Sequence, residues 1–507
     1  MPFSPIAVAE LEVGHGPILA INGLGLRQKV QILLRLDGCP LGYVDVSVTS
    51  GRCEAAAIVH EARAHHLDRA RRRRVASRLA SRMAAPDSPG ELSLTVAVCT
   101  RNRTDDLAVC LASLATLDRP VDVLVVDNAP SDDRTARFLS QAAPPARYVV
   151  EPRLGLSWAR RRAIAESRTD LLAFVDDDVR VDRGWASAIA ALFAAGSNVQ
   201  AVLGLVAPME LETEPQARFE RHGGFGRGFD RRWLQRTQSA DPRLVNTGTI
   251  GTGANMAFRR DVFDRLGLFD VALGAGTAAQ GGEDLEMVFR VLASGGAVVY
   301  EPCALVWHRH RQDAGALRSQ IGSWGSGMFA HLTASWLTWR DQRRAIATLG
   351  MQLLGLYYPR RILQALFDPD VKVGLAWAEL VGALSGPSRY LKGRRRSADA
   401  RTGIGRTELT QTDRRPSAPT VVSLDIARDI PARIPCAADT LELHVADGPR
   451  TLGIVRIPAG GCDVPASRVI DAIVAQFDLA LLDPDGAVRA EIDACLPPEL
   501  DPPRRNG

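Results

Sequence analysis

Residues 171–181 read LLAFVDDDVRV, and this stretch decides the expected fold. The five apolar residues that begin it are typical of a strand buried on both faces of a parallel sheet. The run ends abruptly at Asp176, Asp177 and Asp178, where an open α/β sheet would bind its ligands. Adjacent carboxylates repel one another unless a cation such as Mg²⁺ or Mn²⁺ neutralises them, so the triplet indicates a metal site. A solvated acidic turn is the alternative interpretation of the same three residues.

Strand and helix patterns alternate around this stretch, from Leu92 to about Leu332. The strand-like runs LTVAVCT, VDVLVVDN, ARYVVEP and VQAVLGLV are separated by segments of helical periodicity such as DDLAVCLASLATL and LSWARRRAIAES. This order predicts an α/β domain at 92–335, with a mostly parallel sheet and flanking helices. The segment from Met209 to Val245 is polar and rich in glycine and arginine, so we expect a long functional or mobile loop there.

The two ends of the chain are predicted to be small accessory α+β modules. Residues 1–84 form the first, and residues 419–507 form a second, β-rich one. A helical extension at 336–396 and a polar linker at 397–418 precede the second module. The stretches LGYVDVSV…GRCE and LGIVRIP…GGCD resemble each other, which indicates an internal repeat whose two copies pack together. Two unrelated hairpin-plus-helix units are the alternative.

Composition limits the class of protein and its location. A chain of 507 residues exceeds one hydrophobic core, and a net charge of +4 gives no indication of nucleic-acid binding. The run from Arg71 to Arg74 is typical of a solvated helix face, and the eight cysteines include no C-x-x-C pair and indicate no disulfide framework. Neither a signal peptide nor a transmembrane stretch is recognised, so we expect a cytoplasmic enzyme.

Six short motifs follow one another in the central domain. They are CTRNR at 99–103, VDN at 126–128, DDD at 176–178, GTGAN at 251–255, GEDLE at 282–286 and WHRH at 307–310. In this order the sequence resembles the inverting family 2 glycosyltransferases, over residues 92–332 or about half of the chain. The resemblance implies the GT-A fold, a nucleotide-diphosphate sugar donor, a hydroxyl acceptor that is lipid-linked or a small molecule, and a Mn²⁺ or Mg²⁺ cofactor.

The resemblance also implies roles on the donor side of the site. Thr100 and Arg103 would lie at the mouth of the nucleotide site. Asp127 would accept a hydrogen bond from the nucleotide base, and Asp176 would contact the ribose or the sugar. These four residues follow three different strands of the predicted sheet.

Metal binding is assigned by the same resemblance to Asp178 and His308. The looser D-x-D pattern does not decide which carboxylate of the triplet is the ligand, so Asp176 and Asp177 stay alternatives. His310 lies two residues beyond His308 on the same side of an extended chain, and it is the substitute candidate. A structural histidine at a strand end is the other interpretation of His308.

A carboxylate must also take the proton of the acceptor hydroxyl, which is a poor nucleophile by itself. Asp284 is the expected general base, because Gly281 and Gly282 bring the backbone close just before a helix. Glu283 is expected to bind substrate, and Asn255 is expected to shape the floor of the acceptor site. The alternative is that both acidic residues only stabilise a helix N-terminus, and that the glycines form a plain turn.

The function expected from these residues is metal-dependent, inverting transfer of a hexosyl group, in the synthesis of a glycan, a glycolipid or a natural-product glycoside. A nucleotidyltransferase-like enzyme would need a glycine-rich loop after the first strand, and CTRNR has no glycine. A catalytically silent nucleotide-sugar-binding protein would not need the carboxylates. The sequence has no Q-x-x-R-W motif, so transfer of one sugar at a time is favoured over processive synthesis.

An apolar cluster in the helical extension predicts peripheral contact with the inner face of a membrane. Basic residues flank it, as they do in interfacial helices. The cluster consists of Leu353, Leu354, Leu356, Tyr357 and Tyr358, between Arg343, Arg344, Arg360 and Arg361. A helix packed on the catalytic domain is the alternative.

Overall fold

A computed structural model describes the chain at residues 3–14, 16, 18–84, 92–141, 146–196, 198–236, 241–367, 372–397 and 418–497. The predicted linker at 397–418 therefore lies outside the described residues, apart from its two ends. The predicted fold class is confirmed, because a mostly parallel sheet with helices on both faces is accompanied by a small α+β unit at each end.

The central domain is built on one nine-stranded sheet. Its strands are β4 (Leu94–Thr100), β5 (Asp122–Asn128), β6 (Arg147–Glu151), β7 (Leu171–Asp176), β8 (Val179–Val181), β9 (Val199–Pro208), β10 (Arg232–Leu234), β11 (Asn255–Arg259) and β12 (Ala297–His308). The spatial order is β10-β12-β9-β11-β7-β4-β5-β6, and β8 pairs with the far end of β12. Strands β4 to β7 are parallel to one another, whereas β11 runs antiparallel to both β7 and β9.

Helices cover both faces of this sheet, as expected for strands that are apolar on both sides. They are α2 (Thr104–Leu114), α3 (Arg134–Ser140), α4 (Leu156–Glu166), α5 (Trp185–Ala195), α6 (Glu214–Arg221), α7 (Pro242–Val245), α8 (Asp261–Leu266) and α9 (Glu283–Ala293). One hydrophobic core joins the sheet to α4, α8 and α9, and a second joins its other face to α2 and α5. The segment expected to be one long loop contains α6, β10 and α7, so that expectation was wrong.

A helical extension follows β12, and it begins at Ala314, earlier than the predicted residue 336. It comprises α10 (Ala314–Thr338), α11 (Arg343–Gln352), a π-helical turn (Leu353–Tyr357), α12 (Tyr358–Phe367) and α13 (Val373–Arg396). Helices α10 and α13 pack along each other through small residues: a Cβ atom added at Gly382 would lie 2.0 Å from the carbonyl oxygen of Gly322. No helix in the described part of the chain is long and apolar enough to cross a membrane.

The structure confirms the internal repeat. The first copy is β1 (Ile6–Glu12), β2 (Lys29–Leu36), β3 (Cys39–Ser47) and α1 (Ala55–Ala80), and the second is β13 (Thr420–Asp425), β14 (Arg433–Ile434), β15 (Thr440–Asp447), β16 (Arg450–Pro458), β17 (Val464–Pro465), α14 (Ala466–Gln476), α15 (Leu479–Leu482) and α16 (Ala487–Cys495). The bounds of β2 and β3 and the start of α1 differ from those of β15, β16 and α14 by the same 411 residues. In the first copy β1 is parallel to β2, and β2 pairs antiparallel with β3. In the second copy β13 is likewise parallel to β15, and β15 pairs antiparallel with β16.

The two modules share a single hydrophobic core, as predicted from the repeat. Buried residues of both copies, from Ala7 to Leu79 and from Leu424 to Leu496, belong to one cluster. The arginine run of α1 takes part in this contact: Arg71 pairs with Asp493, and Arg72 donates to the carbonyl oxygen of Val474. The expectation of a solvated basic face was therefore wrong, because α1 lies between the second module and the central domain.

A disulfide also corrects the sequence analysis. Cys39, at the start of β3, is bonded to Cys303 within β12, across 264 residues of sequence. The bond attaches the first module to the central sheet. No spacing motif predicts it, because the two cysteines come together only in the tertiary fold.

Candidate functional site

The candidate site lies at the carboxyl edge of the central sheet. Strand β4 pairs with β5 and with β7, so Thr100 lies opposite Asp127 and the neighbouring Cys99 lies opposite Asp176. Parallel strands end at the same edge, which is why three motifs far apart in sequence meet here. The fourth contribution comes from β12, whose last residue, His308, pairs with Val179 of the short strand β8.

Asp176, Asp178 and His308 form a group that could hold a metal ion. One ligand atom from each residue lies within 4.8 Å of the others, and Asp178 and His308 are buried. His308 Nε2 lies 3.2 Å from Asp178 Oδ1. Two carboxylates and one imidazole are a donor set that suits Mn²⁺, and Mg²⁺ through its oxygens, so the residues fit the cation implied by the resemblance.

The charges within this group shift the pKa values of its members. Burial and the charge of Asp178 both raise the pKa of Asp176. Burial alone would raise the pKa of Asp178, but His308 and Arg103 outweigh it and hold that pKa below its usual range. Burial likewise opposes the charged form of His308, yet the contact with Asp178 leaves the His308 pKa raised. The group therefore concentrates negative charge that basic neighbours compensate.

Asp177, the middle carboxylate, faces different partners. Thr100 Oγ1 donates to Asp177 Oδ2 at 2.7 Å, and Arg103 Nη1 donates to Asp177 Oδ1 at 2.8 Å. Burial raises the pKa of Asp177 to about 7, although Arg103 opposes that shift. Arg103 also lies 2.9 Å from Asp178 Oδ2, so it bridges the two acidic residues. Thr100 and Arg103 thus reach the predicted edge, where they position the acidic loop.

A chain of polar contacts supports His308 from behind. His308 Nδ1 lies 3.1 Å from His310 Nδ1, and His310 Nε2 lies 2.7 Å from Glu220 Oε1 on α6. If Glu220 accepts from His310 Nε2–H, then His310 Nδ1 accepts from His308 Nδ1–H, and the ring of His308 presents Nε2 to the acidic pair. His310 is therefore a positioning residue, and the idea that it substitutes for His308 as a ligand is not supported by this geometry.

Asp127 has one unsatisfied carboxylate oxygen. The side chain is fully buried, Tyr148 Oη donates to its Oδ2 at 3.1 Å, and Oδ1 has no hydrogen-bond partner among the described residues. Burial raises the pKa of Asp127. A buried acceptor without a partner is costly, and an N–H group of a bound base would satisfy it.

Asp284 lies at the N-terminus of α9, half-buried, beside the GTGAN loop. The backbone N–H of Gly253 donates to Asp284 Oδ2 at 2.7 Å, and that of Leu285 donates to Oδ1 at 2.8 Å. The neighbouring Glu283 is buried and pairs with Arg160 Nη1 at 2.7 Å. Burial and the charge of Asp284 raise the pKa of Glu283 to about 7. Asp284 is thus fixed by backbone amides, while Glu283 is engaged by a buried arginine.

A cavity of about 560 Å³ connects the candidate metal-binding group with the acidic N-terminus of α9. Its wall includes Asp176 on the metal side and Asp284 on the α9 side. The remaining wall comes from α4, from the 222–227, 246–254 and 275–285 segments and from the helical extension, and it is largely apolar and aromatic. The side chains that give it this character are Leu156, Phe225, Leu285, Trp324, Met328, Leu353, Tyr357 and Tyr358.

Asn255 does not reach this cavity, which corrects its predicted role in substrate binding. It is fully buried, and its side-chain amide donates to the carbonyl oxygens of Leu205 and Ala304. Its oxygen accepts from Trp185 Nε1 at 2.8 Å. With two partners in the sheet and one on α5, Asn255 holds β9 and β12 together where these strands separate and ties α5 to them.

The sequence analysis missed several residues of the site. Glu379 of α13 lines the cavity, and it lies 3.3 Å both from His222 Nε2 and from Tyr357 Oη. Arg160 of α4 bridges Glu283 and the carbonyl oxygen of Gly253. No motif contains these residues, and only the apolar character of the extension helices gave a signal that something packs there.

The sequence matches the family described as Glycosyl transferase family 2 over residues 95–267. A pre-mycofactocin glycosyltransferase of Mycobacterium tuberculosis (strain CDC 1551 / Oshkosh) is 28% identical over 228 residues, which are 45% of this chain and 44% of that protein. The succinoglycan biosynthesis protein ExoM of Rhizobium meliloti (strain 1021) is 32% identical over 227 residues, 42% of this chain and 66% of that protein. The chain thus spans less than two thirds of the length of either relative.

Among solved structures, a mannosyltransferase from Pyrobaculum calidifontis in complex with GDP-Man and Mn²⁺ is similar to this chain. The sequence identity is 17% and the TM-score is 0.40, over 66% of this chain and 98% of that one.

Proposed function

Residues 95–267 belong to glycosyltransferase family 2, in a domain of the GT-A fold, and from this premise we propose that the protein is a metal-dependent inverting glycosyltransferase. It moves a sugar from a nucleotide-diphosphate donor to an acceptor hydroxyl. The observation that supports this most directly is the single cavity bounded by Asp176 of the metal-binding group and by Asp284. One space then serves the leaving group on one side and the nucleophile on the other.

The donor side is explained by the residues at the sheet edge. Asp127 Oδ1 accepts a hydrogen bond from the nucleotide base, which satisfies an otherwise unpartnered buried oxygen. Asp176, Asp178 and His308 would hold Mn²⁺ or Mg²⁺. When bound, the cation stabilises the negative charge that gathers on the departing diphosphate. Arg103 and Thr100 keep the acidic loop in place, because both bind Asp177.

The acceptor side is explained by Asp284. Its carboxylate takes the proton of the acceptor hydroxyl while the acceptor oxygen bonds to the anomeric carbon and the bond to the diphosphate breaks. A single displacement of this kind inverts the anomeric carbon. The N–H groups of Gly253 and Leu285 hold the carboxylate in one orientation, and each of its oxygens keeps a lone pair for the proton.

The acceptor is matched to the wall of the cavity. Aromatic and aliphatic side chains from the helical extension, among them Trp324, Met328 and Tyr357, contribute to that wall, so an acceptor with an apolar body beside its hydroxyl fits best. Both acceptor classes expected from the sequence, lipid-linked and small molecules, meet this requirement. The cytoplasmic location and the peripheral membrane position stay predictions.

The test of this function separates catalysis from helix stabilisation. The purified chain is assayed for transfer and for hydrolysis of a panel of nucleotide sugars with Mn²⁺. The variant Asp284→Asn should still be stabilised thermally by nucleotide diphosphate and Mn²⁺, yet lose turnover by about 10²-fold or more. Asp261→Asn is the matched control, since Asp261 is an exposed aspartate in the first turn of α8. Equal turnover in the two variants would contradict the role of Asp284 as base.

A further inference from the structure

Exposed apolar side chains concentrate on the helical extension. Of the 21 large apolar side chains that are exposed in the described part of the chain, 14 lie between Trp336 and Leu391. The other seven are scattered over the end modules and the central domain, where single exposed apolar residues are normal. Such a concentration of exposed apolar side chains on one segment marks an interaction surface.

Helix α13 buries its small residues and exposes its large apolar ones, which is the opposite of an ordinary surface helix. Its buried face consists mainly of small residues, with Ala376, Gly382 and Ala383 packed towards α10. Its outward face carries large apolar residues at intervals of four, three and seven, which places them along one side of the helix. They are Trp377, Val381, Leu384 and Leu391, between 41% and 63% exposed.

Helix α12, which packs against α13, continues this surface. Leu363, Leu366 and Phe367 are exposed there, and Phe367 is 85% exposed. We name these three residues, together with the four outward residues of α13, the α12–α13 apolar face. Because seven exposed side chains on two neighbouring helices contribute to it, this face is an extended surface.

Basic residues border the α12–α13 apolar face. Arg360 shares a side of α12 with Leu363 and Phe367, and Arg395 extends the row of Leu384 and Leu391 on α13. The exposed cations Lys392 and Arg396 lie on α13, and the exposed Arg344 lies on α11. None of these five side chains forms an ion pair with a carboxylate of the described residues, and the sole acid of α11, α12 and α13 is the buried Glu379.

We propose that the α12–α13 apolar face docks on the surface of an anionic lipid bilayer. The apolar side chains enter the boundary between headgroups and acyl chains, and the arginines and lysine at the border contact lipid phosphates. The charge decides between possible occupants: a second copy of this chain would bring the same unpaired cations against one another, whereas an anionic surface neutralises them.

The residues that carry this surface differ from the cluster expected from the sequence. Tyr358 is buried and Leu353 lines the cavity, whereas Leu354, Leu356 and Tyr357 are each at least 40% exposed and can contact lipid, although Tyr357 also lines the cavity. The π-helical turn that exposes Leu354 and Leu356 therefore also forms cavity wall. Docking would place the catalytic cavity close to the bilayer, and it does not depend on the donor, the metal or the base.

The test is flotation of the full chain with vesicles. Vesicles of phosphatidylglycerol and phosphatidylcholine in equal parts should carry the protein upward at low salt, and vesicles of phosphatidylcholine alone should carry much less. The double variant Trp377→Ser, Leu384→Ser should reduce the bound fraction about tenfold or more. Its matched control is Val421→Ser, Ile454→Ser, which removes exposed apolar residues from the second end module and should leave binding unchanged.

Charge is tested separately. Arg395→Gln, Arg396→Gln should weaken binding to the anionic vesicles and reduce its salt dependence, whereas Arg489→Gln on α16 should not. The proposal is overturned if the wild-type chain stays in the soluble fraction with both vesicles, or if the serine variant floats as well as its control. It is also overturned if sedimentation velocity shows a dimer that the serine variant abolishes and flotation is absent.

Discussion

At the candidate metal site, three consecutive aspartates face two different directions. Asp176 and Asp178 approach His308, while Asp177 turns towards Thr100 and Arg103. Asp177 and Asp178 form the turn between β7 and β8, and this turn directs the middle carboxylate away from the outer pair. The arrangement favours Asp176 and Asp178 over Asp177 as metal ligands, and it leads to a direct comparison of two neighbouring carboxylates.

We predict that Asp178→Asn abolishes Mn²⁺ binding and that Asp177→Asn retains it. The first change removes a charged ligand from the group, and the second keeps the shape of a residue that only positions the loop. Isothermal titration of the purified variants with Mn²⁺ measures both affinities. Loss of binding in both variants to the same extent would show that Asp177 is itself a ligand.

A second prediction concerns the support of His308. Glu220→Gln should lower Mn²⁺ affinity by about 10- to 100-fold, because outer partners fix the ring orientation and tautomer of a histidine ligand. Glu214→Gln, on an exposed glutamate of the same helix, is the control. Manganese electron paramagnetic resonance reports the free ion directly, and unchanged affinity in Glu220→Gln would remove Glu220 and His310 from the metal site.

Most site residues were predictable because each motif follows a strand or opens a helix, and parallel strands end at one edge. Asp127, Asp176, Asp178 and His308 are of this kind. Asn255 was misassigned since its motif gave the position in the sheet but not the direction of its side chain. Glu220 and Glu379 could not be predicted, because each reaches the site only through packing of α6 or α13 against distant elements.

At the scale of elements, α9 is placed by its contact with α10. Gly282, just before α9, has φ of 88°, and an added Cβ would lie 2.3 Å from the carbonyl oxygen of Gly327. Both the backbone conformation and the close approach therefore require glycine. This contact sets the start of α9, and hence the position of Asp284 against the loop of Gly253.

We predict that Gly282→Ala destabilises the protein by about 1–3 kcal/mol and reduces turnover more than Mn²⁺ binding. The strain acts on Asp284 and not on the sheet edge. Gly350→Ala is the control, since Gly350 lies inside α11 with open space around it and should gain up to about 1 kcal/mol. Thermal unfolding and steady-state kinetics measure both quantities, and a Gly282→Ala enzyme of normal turnover would contradict this account of α9.

At the scale of the whole molecule, α1 of the first module lies between the second module and the central domain. Each copy is a three-stranded sheet with one or a few helices, and the apolar faces of both copies are buried in one common core. Their pairing was predictable from the resemblance of LGYV to LGIV, because two similar units can cover each other's apolar faces. In the structure the glycines of these motifs lie at matching positions, Gly42 opposite Leu34 and Gly453 opposite Val445. The arginine contacts of α1 and the Cys39–Cys303 bond were not predictable from the sequence, because both depend on how the modules pack in the tertiary fold.

The shared core predicts that damage in one module is felt in the other. Ile473 of α14 is fully buried in that core, so Ile473→Ala should cost about 2–5 kcal/mol. Amide hydrogen exchange should then accelerate in α1, more than 390 residues earlier in the sequence, as well as in α14. Ile454→Ala, on an isoleucine of the same module that is 44% exposed, should change neither helix. If Ile473→Ala accelerates exchange only within 418–497, the two ends do not unfold as one unit, and the common core contributes less than its burial indicates.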